Sequence, residues 1–492
     1  MTLGKIFHFK KFFFDNLTIK QIIFKNAFWL ALAELINGIL KFFLFVYIAR
    51  ILGATEYGKF TFALSFVGLF GFIAEMGLYS IIVREFSQNK EKEKDIPSLF
   101  SLKILSNLLF FIFVFFFSFF VTPDPEIRNL IWLLSFLLIF ESLLILFYAF
   151  FNARQKMEYE GLMKILENSL IFTFGFVVLF FFPSVFRLSF SYVFGAFLTF
   201  FFVLFFFHYK IFPLSLRFDI NVWKRYLTFA WPLFVLGMLG SFFNNFDSVL
   251  LGYFQMMKEN GWYNAMKRIM SISFLPCGIL TASFFPTMNK FFAESKEKFK
   301  KIWFLFLKVI FFINLPILLG GIFLTPQIID FVYDPSFFPA ILSLRFLFLT
   351  IFFNAISVPF SRLLLILNKQ DKILYIFLAS TILNVILNIF LIPRYSLNGA
   401  AFVSFLSFLL YLLLAFYFSK KYFSFKLNEE NFLLFALGVA ISSLFMIFLI
   451  SQNFILKFHI LWIIFFGALF YLLIFLLYYF FLRLFKRDIF TL

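Results

Sequence analysis

A single cysteine, Cys277, stands among 492 residues. That excludes an internal disulfide and any cysteine-rich metal site. Histidine is almost as scarce, and His8, His208 and His459 each sit at the end of an apolar segment. No Gly-rich phosphate loop, HExxH pair or nucleophile elbow occurs. The expectation is therefore no catalytic residue, no cofactor, no metal and no enzyme. Acidic residues are few, 25 against 43 Lys and Arg. No loop is long enough to fold as a domain, and a membrane glycosyl polymerase would need one. The N-terminus carries lysines without a short apolar core and small-residue cleavage site, so no signal peptide is expected.

What the chain has in abundance is apolar surface. Hydrophobic residues make up 63% of it, with 96 Phe, more than a soluble protein of this length can bury. The Phe excess is read as coding bias and not as mechanism. Apolar runs of about 20 residues recur, each long enough to cross roughly 30 Å of hydrocarbon. The pattern predicts an all-α polytopic membrane protein with about 14 transmembrane helices. They fall near 26–50, 59–83, 99–121, 129–151, 162–182, 187–208, 226–252, 262–287, 302–325, 337–366, 373–393, 397–418, 432–451 and 459–482. The longest connection, from Arg84 to Ser98, is mixed in charge and reads as a solvated linker. A net charge of +18 does not call for nucleic acid, because most basic residues lie in short loops, where they orient a membrane protein. Thirty Lys and Arg fall on the side of the N-terminus and seven on the other. Both termini are expected in the cytoplasm. Six cations lie within spans: Lys41, Lys267, Arg268, Lys308, Arg345 and Arg362.

The chain repeats itself. Leu52-Gly53 followed by Tyr57-Gly58-Lys59-Phe60 is matched by Leu251-Gly252 followed by Asn260-Gly261-Trp262-Tyr263. Gly58 and Gly261, read as turn glycines, stand 203 positions apart. Asn152-Ala153-Arg154-Gln155-Lys156 likewise echoes Asn368-Lys369-Gln370-Asp371-Lys372. The expected organisation is a basic N-terminal segment (1–25), a six-helix lobe (26–208), a linker (209–225), a second six-helix lobe (226–418) and an appended helix pair with its tail (419–492). Both lobes start inside, so the repeats are parallel and pseudo-symmetric.

Charge within a membrane span is costly and marks candidate sites. Glu34, Asn37 and Lys41 share one face of the first span, either as an internal ion pair or as a cavity wall. Glu75 in the second span has Tyr79 on the same face. Glu141 is isolated, and Glu167 and Asn168 reach toward headgroups. Asn244 and Asp247 lie one turn apart in the seventh span and form a candidate ion-coupling site. In the eighth, Asn264, Lys267, Arg268 and Ser271 form a polar stripe. That stripe either lines a water-filled cavity or consists of a Lys267–Asp247 pair beside an outward-reaching Arg268. Arg345 adds a further cation, whereas Lys308 and Arg362 read as snorkelling to the interface. Ser380, Thr381, Asn384 and Asn388 make a neutral stripe that either glues helices or meets ligand.

The segment Arg50-Ile51-Leu52-Gly53-Ala54-Thr55-Glu56-Tyr57-Gly58, with Glu75-Met76-Gly77-Leu78 and Arg84-Glu85, resembles the O-antigen and polysaccharide-repeat flippases of the multidrug/oligosaccharidyl-lipid/polysaccharide exporter superfamily. Asp247-Ser248-Val249-Leu250-Leu251-Gly252 and Gly261-Trp262-Tyr263-Asn264-Ala265 resemble the second-half counterpart. The family pattern often has Asp where this chain has Glu75. The resemblance implies two six-helix lobes around a central cavity in a bacterial or archaeal cytoplasmic (inner) membrane. It also implies flipping of an undecaprenyl-diphosphate-linked oligosaccharide to the outer leaflet, with membrane lipid and other polysaccharide-assembly membrane proteins as partners. A diphosphate needs buried cations, which Lys41, Lys267, Arg268 and Arg345 would supply. Glu34, Asn37, Glu75, Asn264, Ser271, Asn384 and Asn388 would form the polar lining. The alternatives are a peptidoglycan-precursor flippase, a cation-coupled multidrug exporter and a membrane glycosyl polymerase.

Overall fold

The computed structural model describes residues 16–456 and 458–484. Most of the basic N-terminal segment and the C-terminal tail lie outside them. The described chain is helical, and it divides into two compact units, Met1–Gly261 and Trp262–Leu492. Among the described residues, twelve helices are long and apolar enough to cross a membrane. Two of these each hold two spans joined at a sharp bend, which gives the fourteen expected crossings. Helix α1 (Ile19–Leu69) bends at Gly53, where φ is 73°, a conformation open to glycine without a Cβ penalty.

In the first unit the short α2 (Gly71–Glu75) and α3 (Leu78–Gln88) follow α1. Then come α4 (Ile96–Val121), α5 (Pro125–Ala153), α6 (Met157–Phe181), α7 (Val185–Lys210) and α8 (Ile220–Tyr253). Their ends follow from local chemistry. Pro125 opens α5 beneath an Asp124 cap that accepts from Glu126 N at 2.9 Å. Asp219 caps α8 by accepting from Asn221 N and Val222 N.

The second span is not the continuous helix its apolar run predicts. It breaks between Glu75 and Leu78, where Met76 (φ 53°) and Gly77 (φ 64°) are both left-handed. Glu75 and Tyr79 therefore do not share a helix face. The break fits against α8, because a Cβ on Gly77 would lie 2.7 Å from Phe234 N and 2.8 Å from Leu233 Cβ. Helix α8, which the repeat assigns to the second half, packs on α1, α2, α3 and α4 and belongs to the first unit. The mixed-charge connection is also ordered. A 3-10 turn runs from Lys90 to Asp95. Glu85 is held by Arg84 and Lys92, Glu93 by Arg154 at 2.5 Å, and Asp95 by Arg225 and by Tyr226 OH at 3.1 Å. Alternating charges that look solvated in sequence find complementary partners on α5 and α8.

The second unit holds most of α9 (Met257–Glu294), then α10 (Lys296–Phe323), α11 (Thr325–Val332) and α12 (Ile341–Ile366). It continues with α13 (Gln370–Tyr422), which bends at Ser396, then α14 (Phe432–Ile450), α15 (Asn453–Leu456) and α16 (Ile460–Leu484). Its core surrounds Trp303, whose indole donates to Pro359 O at 3.0 Å. The appended pair α14 and α16 docks on α10. Tyr471 OH donates to Phe312 O at 2.8 Å, and Tyr478 OH donates to Leu434 O across Gly438.

The internal repeat is visible in the turns, in a corrected register. Helix α5 ends with Gln155 left-handed (φ 57°), Gln155 N donating to Asn152 O and Lys156 N to Phe151 O. Helix α12 ends identically, with Asn368 left-handed (φ 57°), Asn368 N on Leu365 O and Lys369 N on Leu364 O. Both are Schellman turns. Gln155 thus corresponds to Asn368, three residues away from the alignment the side chains suggest. Helix α8 closes the same way at Gln255. Gly58 and Gly261 are consequently helical residues and not turn residues.

Candidate functional site

In the first unit the break after α2 leaves the carbonyl of Ala74 without its helical partner, and three side chains meet it. Lys103 Nζ from α4 donates at 2.7 Å, Ser106 Oγ at 3.2 Å and Ser142 Oγ from α5 at 3.0 Å. Lys103 also donates to Ser142 Oγ at 2.8 Å and is 1% exposed. In sequence Lys103 counts with the inner-loop cations. The structure moves it to the core, where it locks a broken helix. Lys25, another such cation, is buried in an ion pair with Glu158 at 2.9 Å. Nothing in either local sequence separates these two lysines from ordinary loop charge.

The other span-borne charges of this unit lie on α1, α2, α5, α6 and α8. Glu34 is exposed and lies 3.7 Å from Lys164, which pairs with buried Glu160 at 2.8 Å. Asn37 is buried, one turn from Glu34. Lys41 is exposed and close enough to Glu141 and Glu167 to attract both. Glu141 is therefore not isolated, and Glu167 and Asn168 are buried instead of reaching headgroups. Glu75 is exposed and within electrostatic reach of Lys103. On α8, Asn244 is exposed with its amide on Gly240 O, and Asp247 is buried with its carboxylate accepting from Ser248 N at 2.7 Å.

In the second unit the opening turns of α9 are pinned by aromatic hydrogen bonds. Trp262 Nε1 donates to Ser336 O at 3.0 Å, and Tyr333 OH to Ala265 O at 2.9 Å. Tyr263 OH shares a hydrogen with Ser404 Oγ at 3.2 Å. Asn264 is buried beside them. Lys267 and Arg268 follow, half-buried, with Lys267 Nζ 5.3 Å above the Tyr263 ring. Lys267 stands ten residues into the 38-residue α9, about 15 Å along the axis, within its first third. Ser271 returns its hydroxyl to Lys267 O.

Arg345 is exposed near the start of α12. Arg362 lies over Phe285 and lines a cavity of about 330 Å³ with Cys277 and Thr281. Asn384 and Asn388 are buried, with Asn388 Nδ2 donating to Asn384 Oδ1 at 3.0 Å and Asn384 Nδ2 to Ser407 Oγ at 3.2 Å, the geometry of helix glue. Lys308 does not snorkel. It is 2% exposed, with Nζ 5.9 Å from the Phe435 ring. Among the described residues of this unit, no carboxylate lies more than two turns from a helix end or bend.

A family model described as polysaccharide biosynthesis protein matches residues 23–292, more than half of the chain. The chain belongs to the polysaccharide biosynthesis protein family. Its fold is similar to those of several solved membrane transporters. The structure of the lipid II flippase MurJ in an inward closed conformation superposes with a TM-score of 0.76 at 19% identity, covering 92% of this chain and 99% of that one. An inward-facing multidrug resistance MATE family transporter of the MOP superfamily gives 0.61 at 14% identity, covering 79% and 93%. A MOP superfamily transporter from Pyrococcus furiosus gives 0.51 at 14%, covering 86% and 96%. No curated protein matches by sequence.

Two expectations arise from the buried lysines of this family member. Lys103→Ala removes two charge-assisted hydrogen bonds, each contributing about 1.5–3 kcal/mol. A clear drop in the thermal unfolding midpoint in detergent is expected, and an unchanged midpoint would remove the helix lock. Lys308→Ala is expected to destabilise by about 2 kcal/mol through its desolvated aromatic contact. A wild-type midpoint there would return Lys308 to the membrane interface.

Proposed function

We propose that this protein flips an undecaprenyl-diphosphate-linked oligosaccharide from the cytoplasmic to the outer leaflet by alternating access, for surface polysaccharide assembly. The observation that supports the reading is the adjacent pair Lys267 and Arg268, half-buried in the first third of α9, a turn after the hydrogen-bonded Trp262 and Tyr263. A pair of cations inside an apolar helix suits a diphosphate, since guanidinium and ammonium groups are the usual phosphate partners. Lys41 and Arg345 are proposed as further headgroup cations, with Glu34, Asn37, Glu75, Asn264 and Ser271 as the polar lining. A multidrug exporter would favour an acidic, aromatic site for its cationic cargo.

The test is reconstitution in vesicles loaded with undecaprenyl-diphosphate-linked oligosaccharide on the inside. Appearance of the glycan outside, dependent on the protein, supports flipping. Lengthening of the glycan would identify a polymerase instead, and export of a cationic drug without glycan transfer would identify an exporter. Lipid II is the matched second substrate, and its preferential transfer would assign the peptidoglycan precursor.

Asn244 and Asp247 are proposed to couple an ion or proton to transport, because a buried carboxylate in a span is costly and marks a candidate functional site. Asp247→Asn is expected to abolish the dependence of transport on an imposed ion gradient. Unchanged dependence would make Asp247 a structural residue.

A further inference from the structure

A cationic cavity lies in the first unit. It encloses about 500 Å³ where α5 ends, α6 begins and α7 ends. These are three ends of candidate spans on one face, the face that the Lys and Arg distribution assigns to the cytoplasm. Three cations line it, Arg154, Lys156 and Lys210, against one acid, Glu93. Glu93 is already engaged, with its Oε2 2.5 Å from Arg154 Nη2. That contact orders the guanidinium without exhausting its donors, and Arg154 Nε has no hydrogen-bond partner.

The walls are built and not loose. The Schellman turn at Gln155 fixes Arg154 and Lys156 on either side of a left-handed residue. Arg154 lies 5.7 Å over the Phe150 ring and Lys156 Nζ 5.7 Å over Tyr159. Tyr159 in turn stacks on Phe151 at 5.2 Å and meets Phe206 at 5.6 Å. The opposite wall, Ile211 and Phe212, is folded back by two backbone donors on Phe207 O and by Leu214 N donating to His208 Nδ1 at 3.0 Å. A loop cation that only orients a protein needs neither a cavity nor an aromatic backing.

We propose that this pocket is a phosphate site for an anionic phospholipid of the cytoplasmic leaflet. The phosphate would sit among Arg154, Lys156 and Lys210, and the glycerol and upper acyl chain would lie on the aromatic wall. Cations and aromatic rings together at the end of membrane spans are the chemistry of the headgroup layer. A soluble phosphate shares the charge requirement but has no use for the apolar wall.

The test is native mass spectrometry of the full chain in detergent, titrated separately with phosphatidylglycerol, phosphatidylcholine and inorganic phosphate. Phosphatidylglycerol is expected to be retained over phosphatidylcholine. Lys156→Gln with Lys210→Gln, which keeps the Arg154–Glu93 pair and so the fold, is expected to lower that retention roughly 25-fold, from about 1 kcal/mol per cation at an anionic surface. A charge-matched control, Lys296→Gln with Lys298→Gln, is expected to leave it unchanged. Equal loss in both variants, or equal retention of the two lipids, overturns the site. Binding of inorganic phosphate that the pocket variant loses, with phosphatidylglycerol unaffected, overturns the lipid assignment in favour of a soluble anion.

Discussion

Gly58→Ala is expected to yield little or no folded protein. A Cβ at this position would lie 1.7 Å from Met257 O and 2.7 Å from Met257 C. The obstacle is backbone, so no side chain can rotate away. Gly261 presents the reciprocal case, with its Cβ 1.9 Å from Ala54 O. The two glycines let the start of α9 press against α1 just past its bend, and Asn260 Nδ2 seals the contact on Gly58 O at 2.9 Å. Ordinary overpacking costs about 1–3 kcal/mol. Here relief requires separating two helices, so the cost is expected to exceed that range. The measurement is the monodisperse fraction after detergent extraction, with the unfolding midpoint of whatever remains. Gly38→Ala is the control, since nothing lies within 4 Å of its added Cβ, and it should behave as wild type. A wild-type midpoint for Gly58→Ala would mean that the close contact is not formed.

Lys267→Ala and Arg268→Ala are each expected to abolish transport of lipid-linked oligosaccharide while the protein still inserts and folds. Both side chains are half-buried, and Trp262, Tyr263 and Tyr333 pin this part of α9 by hydrogen bonds of their own. Each charge-assisted phosphate contact contributes about 1.5–3 kcal/mol, which is roughly tenfold to over a hundredfold in binding. Arg268→Lys keeps the charge and loses the planar fork, so a partial loss is expected. The readout is oligosaccharide reaching the outer leaflet of vesicles, normalised to protein. Wild-type transport in both alanine variants would remove the pair from the substrate site.

Much of this was legible in the chain because membrane crossings are written locally. An apolar run such as that of α4 needs no partner to declare itself, and the structure places α4 within three residues of the expected start. The repeat was legible too, since glycines at matching positions survive as side-chain identities. Their role was not. Gly58 reads as a turn until Met257 O is found against it. The three-residue register shift between Gln155 and Asn368 is likewise carried by backbone conformation, which side-chain matching does not see. The span cations Lys267 and Arg268 stood out for their position alone, whereas Lys103 was hidden among loop lysines because it lies near a span's inner end.

The sequence by itself determined the solvent of this protein, the number of its crossings and the asymmetry of its loop charge, because each depends on composition within one segment. Only the tertiary structure decided which charges are buried. A lysine in a span is stable only where polar atoms from other helices converge on it, as Ala74 O and Ser142 Oγ converge on Lys103. Residues 74, 103 and 142 come from three helices. Their meeting also fixes the break in the second span, for the freed carbonyl at the end of α2 persists in an apolar interior because donors reach it from α4 and α5.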